Sequence, residues 1–448
     1  MKAENTGLKI TNINVTDLRV PTSDTLLGSD PFHKEPNYSC VYTQIKLSNG
    51  VVGNSVCFTV GAGNDWIVYG VKDISKLLEN YPFDEFIENP GVVYKFINDH
   101  HQLRWLADGV NRMAMGCVIN SLWDAWAKIE EKPMWKLLVD LEPEKVIDSI
   151  DWRYLEDALS KTEALDILKE NEANHNAIEA ALKNKGPKAY STAGWLGLTD
   201  EQIVKTVRDM QSNGFDCFKM KVGQSLEHDK ERLKFIREVI GSESKLMLDC
   251  NQIWGVDEAI DYMKELAEFN PVWIEEPTAR DDVQGHLKIS KSLEGLGIKV
   301  ATGEQVPSPV IFKQLLQSGA IGYCQIDASR LGGVNDVMAV ILLAKKYNVP
   351  VCPHGGGIGL CNMIVHYAIW DQVKVASHSE GQLVEYLEFL QDDVFEFPVL
   401  VKDGNYVTPE AHGWGLEMHK EFFDSHIYPT GKVWNERVES GSITFLPE

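Results

Sequence analysis

The stretch Phe215-Asp216-Cys217-Phe218-Lys219-Met220-Lys221-Val222 decides the fold. It is a short apolar strand with two alternating lysines, bounded by Gly214 and Gly223, and it is the first of a series. The runs Lys245-Leu246-Met247-Leu248-Asp249, Val272-Trp273-Ile274-Glu275, Lys299 to Glu304, Gly322 to Asp327 and Val349 to His354 also end on ionisable residues. Lys221, Asp249, Glu275, Glu304, Asp327 and His354 follow one another at intervals of 23 to 29 residues, the length of one strand, one helix and two loops. With Tyr190 to Trp195 before them and Leu383 to Tyr386 after, the series makes eight strands. The expectation is an α/β protein built on a (β/α)8 barrel of the TIM type. In that fold the C-terminal strand ends converge on one mouth, so the charged residues read as one site.

Helix signals fill the intervals. Thr199 and Gln202 form a capping box, Ile203, Val204, Val207 and Met210 share a face, and Gly214 stops the helix. Ser308 is placed to cap a helix with Pro309 in its first position, and Gly319 closes it. N-terminal to the barrel, Leu8 to Leu18 and Ser39 to Val60 read as strands, the second broken by a hairpin turn at Ser48-Asn49-Gly50. Apolar residues from Met115 to Ile129 mark a helix over Asn111 to Leu138 that packs on this small sheet. The plan is therefore an α+β capping domain over 1–147, a helical connecting segment over 148–187, the barrel over 188–399, and a C-terminal segment over 400–448 that returns to complete the capping domain.

Composition narrows the partners. Asp and Glu number 66 against 43 Lys and Arg, a formal net charge of −23, which argues against a phosphate-backbone partner. No nucleic acid is expected. The longest apolar run, Val337 to Ala344, is too short to span a membrane, and Met1 to Val20 lacks a hydrophobic signal core, so a cytoplasmic protein without a membrane partner is expected. The 8 cysteines include no CxxC pair, and Cys217, Cys250, Cys324 and Cys352 fall in or beside buried strands, where cysteine acts as a small hydrophobe. A reducing compartment follows. A homo-oligomer is compatible with all of this.

Three carboxylates at consecutive strand ends, Asp249, Glu275 and Glu304, are hard oxygen ligands of the kind that suit Mg2+. Glu275 is preferred to Glu276 because it directly ends the apolar run. Lys219 and Lys221 share one strand face, the barrel interior; burial and mutual repulsion are expected to lower a lysine pKa towards base duty. Asp327 stands one strand before His354 and can hold its imidazole, which makes an Asp–His dyad across the pocket from Lys221. The glycines Gly355, Gly356 and Gly357 let backbone approach a substrate. Bland readings exist for each: solvated lysines, loop-capping acids and a structural histidine. His100-His101 and the acidic run from Glu388 to Asp393 are read as surface features.

Together with Gly28-Ser29-Asp30, Asn37-Tyr38-Ser39, Trp152-Arg153-Tyr154-Leu155, Gly194-Trp195-Leu196-Gly197, Asp249-Cys250-Asn251-Gln252, Trp273 to Pro277, Gly303-Glu304, Gln325-Ile326-Asp327 and Gly359-Leu360-Cys361, these residues resemble a family. The chain is similar over nearly its whole length to the enolase superfamily, in the mandelate-racemase-like group with a KxK motif, and within it to the L-fuconate dehydratases. The resemblance implies that Asp249, Glu275 and Glu304 bind Mg2+, that Lys221 is the base, and that His354 with Asp327 is the acid. It also implies that Gly28, Ser29, Asp30, Tyr38, Lys219, Asn251, Gly355, Gly356 and Glu385 surround a small-molecule acid sugar. Pro31-Phe32-His33-Lys34, Gln305 and Asn362 depart from the family's pattern, and these changes bear on which acid sugar is taken.

The implied reaction removes the C2 proton and the C3 hydroxyl of a sugar acid, L-fuconate in the first place, to leave a 2-keto-3-deoxy acid. Two enzymatic alternatives are a dehydratase of another acid sugar and a racemase or epimerase using the same lysine and histidine. A metal-stabilised scaffold without catalysis is the alternative of another class.

Overall fold

The computed structural model describes residues 7–106, 108–170 and 172–441. Its capping sheet is antiparallel, β1 (Ile10–Arg19) pairing with β2 (Ser39–Leu47) and β2 with β3 (Val52–Thr59). The hairpin turn lies where Ser48-Asn49-Gly50 places it, with Gly50 in the left-handed region.

The barrel follows as β4 (Ala189–Gly194), β5 (Cys217–Lys221), β6 (Lys245–Asp249), β7 (Trp273–Glu275), β8 (Lys299–Thr302), β9 (Tyr323–Cys324) and β10 (Val384–Tyr386). These seven form one parallel sheet in the order β10-β4-β5-β6-β7-β8-β9. The segment 349–354 closes the gap between its edges. Val351 bridges Cys324 in parallel, the Cys352 and His354 amides donate to Cys324 and Ile326 carbonyls at 2.8 and 3.0 Å, and the Glu385 amide donates to the Pro353 carbonyl at 3.4 Å. The expected (β/α)8 barrel with an N-terminal capping domain is the fold of this chain.

The barrel interior is layered by strand alternation. At the bottom, Tyr190, Cys217, Met247, Trp273 and Ala301 from β4 to β8, with Cys352 of the closing segment and Leu383 just before β10, form an apolar plug of their own. Two residues further along, on the same faces, stand Thr192, Lys219, Asp249, Glu275, His354 and Glu385. The plug shuts the barrel to water from below, so the polar layer opens only towards the capping domain. All eight cysteines are buried and free.

Local signals are read with three exceptions. The capping box of Thr199 and Gln202 forms, at 3.3 and 2.9 Å. Ser308, by contrast, makes no side-chain cap bond, although Pro309 does start its helix and left-handed Gly319 ends it. The helix expected over Asn111 to Leu138 is two, Val110–Ile129 and Met134–Asp140, because the chain leaves the first at Glu131, whose φ is +52°, and Pro133 caps the start of the second. The acidic run is not wholly a solvated face either: Glu388 is half-buried, which pushes its carboxyl up to about 8.

The segment after Val399 first touches the barrel. Gly404 and Tyr406 amides donate to Asn213 and Pro187 carbonyls at 2.7 and 2.9 Å. It then reaches the capping domain, where buried Asp124 accepts from the Trp414 and Asn54 amides, both at 2.7 Å. Among the described residues no helix is long and apolar enough to cross a membrane.

The helix Val110–Ile129 lies so close to β3 that a Cβ added to Gly53 would stand 2.0 Å from the Ser121 carbonyl oxygen. Gly53→Ala should therefore force helix and sheet apart and cost about 2 kcal/mol or more of stability, read as a lowered denaturant midpoint.

Candidate active site

Register brings the charges together. Lys221 on β5 is paired with Asp249 on β6, and Asp249 with Glu275 on β7, so three functional residues stand side by side at consecutive strand ends. Glu304 follows β8 by two residues. One oxygen from each of Asp249, Glu275 and Glu304 lies within 4.8 Å of the others. Lys219 Nζ donates to Glu275 Oε1 at 2.7 Å and contacts Glu385 Oε1 at 2.9 Å and Asp249 Oδ2 at 3.5 Å. Lys221 Nζ donates to Asp249 Oδ2 at 2.5 Å and Asn251 Oδ1 at 3.0 Å, with the Trp195 ring centroid 5.2 Å away.

The lysine pKa values move opposite to the sequence expectation. Burial does oppose the charge on Lys221, but Asp249, Glu304 and Asp30 together outweigh it and hold the ammonium above its ordinary range; Glu275 and Glu385 act in the same way on Lys219. The expectation counted burial and the lysine pair, and the missing quantity is the ring of carboxylates facing them. That ring carries more negative charge than the lysines neutralise. Burial, and the charges of Asp249, Glu385 and Glu304 against the pull of Lys219, push Glu275 up to about 8. Three convergent hard oxygen donors with unmet negative charge fit a divalent cation.

Across the mouth, His354 Nδ1 and Asp327 Oδ2 lie 2.8 Å apart. Asp327 is itself fixed: its Oδ1 accepts from the Ser329 amide and hydroxyl at 2.7 and 2.9 Å and from the Arg330 amide at 2.9 Å. His354 Nε2 points to Glu304 Oε2 at 3.5 Å. Burial works against a charged imidazole, but Glu304 and the Asp327 bond prevail and raise His354 to about 9.

Lys221 and His354 both line a chamber of about 260 Å³ between barrel and capping domain. Of the residues tied to the acid sugar by resemblance, Gly28, Asp30, Tyr38, Asn251, Gly356 and Glu385 also line it. Gly28 is required by the close approach of Tyr38, whose ring would lie 2.2 Å from an added Cβ, at a φ of +84°. Three of the expected contacts sit behind the wall. Ser29 Oγ donates to the Leu26 carbonyl at 2.6 Å and accepts from the Gly197 amide at 2.8 Å, which ties the capping loop to the barrel rim. Gly355 donates its amide to Glu385 Oε2 at 2.9 Å, and Lys219, 1% exposed, lies beneath the carboxylates.

The departures from the family pattern divide similarly. His33 and Gln305 line the chamber; His33 Nδ1 is held by Asp30 Oδ2 at 2.9 Å, and Gln305 Oε1 accepts from Arg280 at 3.2 Å. Asn362 lies elsewhere, on the helix Leu360–Trp370, with its amide on the Phe397 and Gly415 carbonyls at 3.0 and 2.9 Å. It faces the C-terminal segment, so it bears on packing and not on the chamber. Sequence reasoning missed Phe58, Trp195 and Arg330 as wall residues. Trp195 was signalled by its place at the end of the first barrel strand, and Arg330 by following Asp327 within one turn.

The chain is 41% identical over 435 residues to mitochondrial enolase superfamily member 1 of Xenopus laevis, covering 96% of this chain and 98% of the relative. It belongs to the enolase superfamily. Residues 202–422 match the family model described as enolase C-terminal domain-like. An L-galactonate dehydratase of Hypocrea jecorina is 41% identical over 429 residues, 94% of this chain and 95% of the relative. Among solved superfamily structures, human mitochondrial enolase superfamily member 1 superposes with a TM-score of 0.94 at 40% identity, covering 96% of this chain and 98% of that one. The L-talarate/galactarate dehydratase of Salmonella typhimurium LT2, liganded with Mg and L-lyxarohydroxamate, shares the fold, with a TM-score of 0.72 at 22% identity over 94% of this chain and 93% of that one.

A raised histidine pKa is a stability contribution in the metal-free protein. It is fully present below about pH 6.5, the ordinary histidine value, and is lost as pH rises through about 9. Asp327→Asn removes one of the three groups that raise it, the others being Glu304 and Glu385. In chelated protein the His354 ring should then titrate at least one pH unit lower by NMR; an unchanged titration would leave Glu304 and Glu385 as the whole cause.

Proposed function

We propose that this protein is a Mg2+-dependent acid-sugar dehydratase. The observation that carries the reading is the placement of a lysine and an Asp-held histidine on opposite walls of one chamber, above three convergent carboxylates. Asp249, Glu275 and Glu304 hold the metal, Lys221 is the base, and His354 is the acid with Asp327 positioning it. Gly28, Asp30, Tyr38, Asn251, Gly356 and Glu385 contact the sugar acid; Ser29, Lys219 and Gly355 support them from behind. In the four-part division at residues 147, 187 and 399, catalysis belongs to the barrel, and the capping domain, through Gly28, Asp30, His33 and Tyr38, shares substrate selection with it. Eight free buried cysteines fit a reducing compartment, and we place the protein in the cytoplasm.

Abstracting a proton beside a carboxylate is hard because negative charge grows on a group already anionic. Mg2+ on the three carboxylates supplies the positive charge that offsets it. Lys221 Nζ, once neutral, takes the C2 proton, and the C2–H electron pair forms the enol double bond. His354, held by Asp327, gives its proton to the C3 oxygen, which leaves as water when the C3–O bond breaks. The enol product tautomerises to the 2-keto-3-deoxy acid. The capping domain, which lies over the mouth of the barrel, limits the bulk water that reaches these transfers.

L-Fuconate is the first substrate reading. A second, L-galactonate, is favoured by the polar side chains of His33, Gln305 and Arg330 in the chamber wall and by the relative of that name. The two acids differ only by the C6 oxygen, which a wall of hydrogen-bonding groups distinguishes. A panel of acid sugars, scored for 2-keto-3-deoxy product with Mg2+ and with chelator, tests the function. Turnover of one or both acids should vanish in chelator and return with Mg2+. Product in thorough chelator would remove the metal from the mechanism, and C2 epimers alone would make the protein an epimerase.

Base and acid separate in deuterated water. His354→Asn should retain C2 hydrogen exchange of bound substrate while losing elimination, and Lys221→Ala should lose both. Proton NMR reads the contrast, and exchange that survives only in Lys221→Ala would reverse the two assignments.

A further inference from the structure

Arg232 stands on the helix Leu226–Ile240, outside the chamber, and is 8% exposed. Among the described residues its guanidinium donates to three carbonyls and to no carboxylate: Nη1 to Lys221 O at 2.8 Å, and Nη2 to Gly194 O at 2.9 Å and Trp195 O at 2.6 Å. A buried cation spent on backbone carbonyls is costly, since its charge is not matched by a partner ion. Burial pushes the guanidinium down to about 10 against the opposing charges of Asp229 and Asp200.

The place where it acts explains the expense. β4 and β5 are in register at Ser191 and Phe218, but the pairing slips before Gly194 and Met220, so the ladder is irregular where both strands end. Carbonyls released by that slip need donors, and one guanidinium supplies them to both strand ends. Its three bonds fix the backbone of Lys221 on one side and of Trp195 on the other. The two side chains then meet in the chamber, with Lys221 Nζ 5.2 Å from the Trp195 ring centroid. The same helix holds the chain after Lys221 by a second bond, from the Gly223 amide to Asp229 Oδ2 at 2.7 Å.

We propose that Arg232 is a positioning residue for proton abstraction. It sets the location of Lys221 and of the aromatic wall beside its ammonium, from outside the substrate chamber and without touching the metal ligands. The inference rests on the dehydratase reading for its kinetic consequence, whereas its structural consequence stands apart from that reading. Small displacements of a reacting group lower rates steeply, on the order of 100-fold for about 1 Å.

The test compares wild type, Arg232→Lys and Arg232→Met on the full chain. Arg232→Met should lower kcat at least tenfold, leave Mg2+ affinity by calorimetry within about threefold, and raise the primary deuterium isotope effect on kcat with C2-deuterated acid sugar, because proton abstraction becomes slower relative to the other steps. Arg232→Lys, which keeps a donor at the strand ends, should recover part of kcat. Crystal structures of the metal-free variants should show Trp195 and the Lys221 carbonyl displaced in Arg232→Met. Unmoved Trp195 and Lys221, or a kcat loss that follows only the loss of folded protein with an unchanged isotope effect, overturns the proposal. If Arg232→Met does not fold, the same readouts on Arg232→Lys decide it. Wild-type protein that turns over no acid sugar would defeat the dehydratase reading alone, and the positions of Lys221 and Trp195 in the variants would still decide this one.

Discussion

The ammonium of Lys219, 1% exposed, makes contacts of 2.7, 2.9 and 3.5 Å to Glu275, Glu385 and Asp249. A charge taken this far from water is tolerable only if its partners are also held, and each partner stands on a different strand. The cluster thus requires a closed barrel whose strand ends are in fixed register, with an apolar plug below to keep water out. It also accounts for the opposite behaviour of neighbouring groups. Asp249, beside Lys221, is held below the usual carboxylate range, whereas Glu275 is pushed up to about 8 by its burial and by the charges of Asp249, Glu385 and Glu304 against the pull of Lys219. A divalent cation resolves the imbalance where it is greatest.

Much of this was legible in the chain because strand alternation is a short-range rule. Cys217, Lys219 and Lys221 must share a face, as must Met247 with Asp249, Trp273 with Glu275, and Cys352 with His354. The 23- to 29-residue spacing then fixes that these faces meet, since a parallel barrel returns each strand to the same end. The apolar plug and the charged layer are two readings of one alternation.

What was not legible depends on distances between segments far apart in sequence. Ser29, Lys219 and Gly355 are in the right neighbourhood but behind the wall, because whether a group reaches the chamber or is held beneath its surface is set by its partners: Gly197, Glu275 and Glu385. Asn362 follows the glycine loop by only a few residues, yet the helix it opens turns its side chain to the C-terminal segment. The lysine pKa shifts were misread for the same reason, since no local pattern reveals how many carboxylates lie within 4 Å of an ammonium.

Backbone strain marks the same ligands independently. Asn251, Gln252 and Glu276 have φ values of 46°, 64° and 45°; the first two lie two and three residues after Asp249, and Glu276 directly follows Glu275. Such conformations cost on the order of 1–3 kcal/mol for residues other than glycine and persist only where surrounding contacts impose them. Here the contacts are visible. The turn at Asn251 brings its amide back to Asp249 Oδ1 at 2.9 Å and its side-chain oxygen to Lys221 at 3.0 Å. The Gln252 amide and side chain both reach Glu276, at its carbonyl and at Oε1, each at 2.8 Å. An extended chain leaving β6 would carry Asn251 away from Lys221 and leave the ammonium with Asp249 alone. The strained turn is therefore what gives the proposed base a second, neutral partner, one that can hold it in place after its proton has gone.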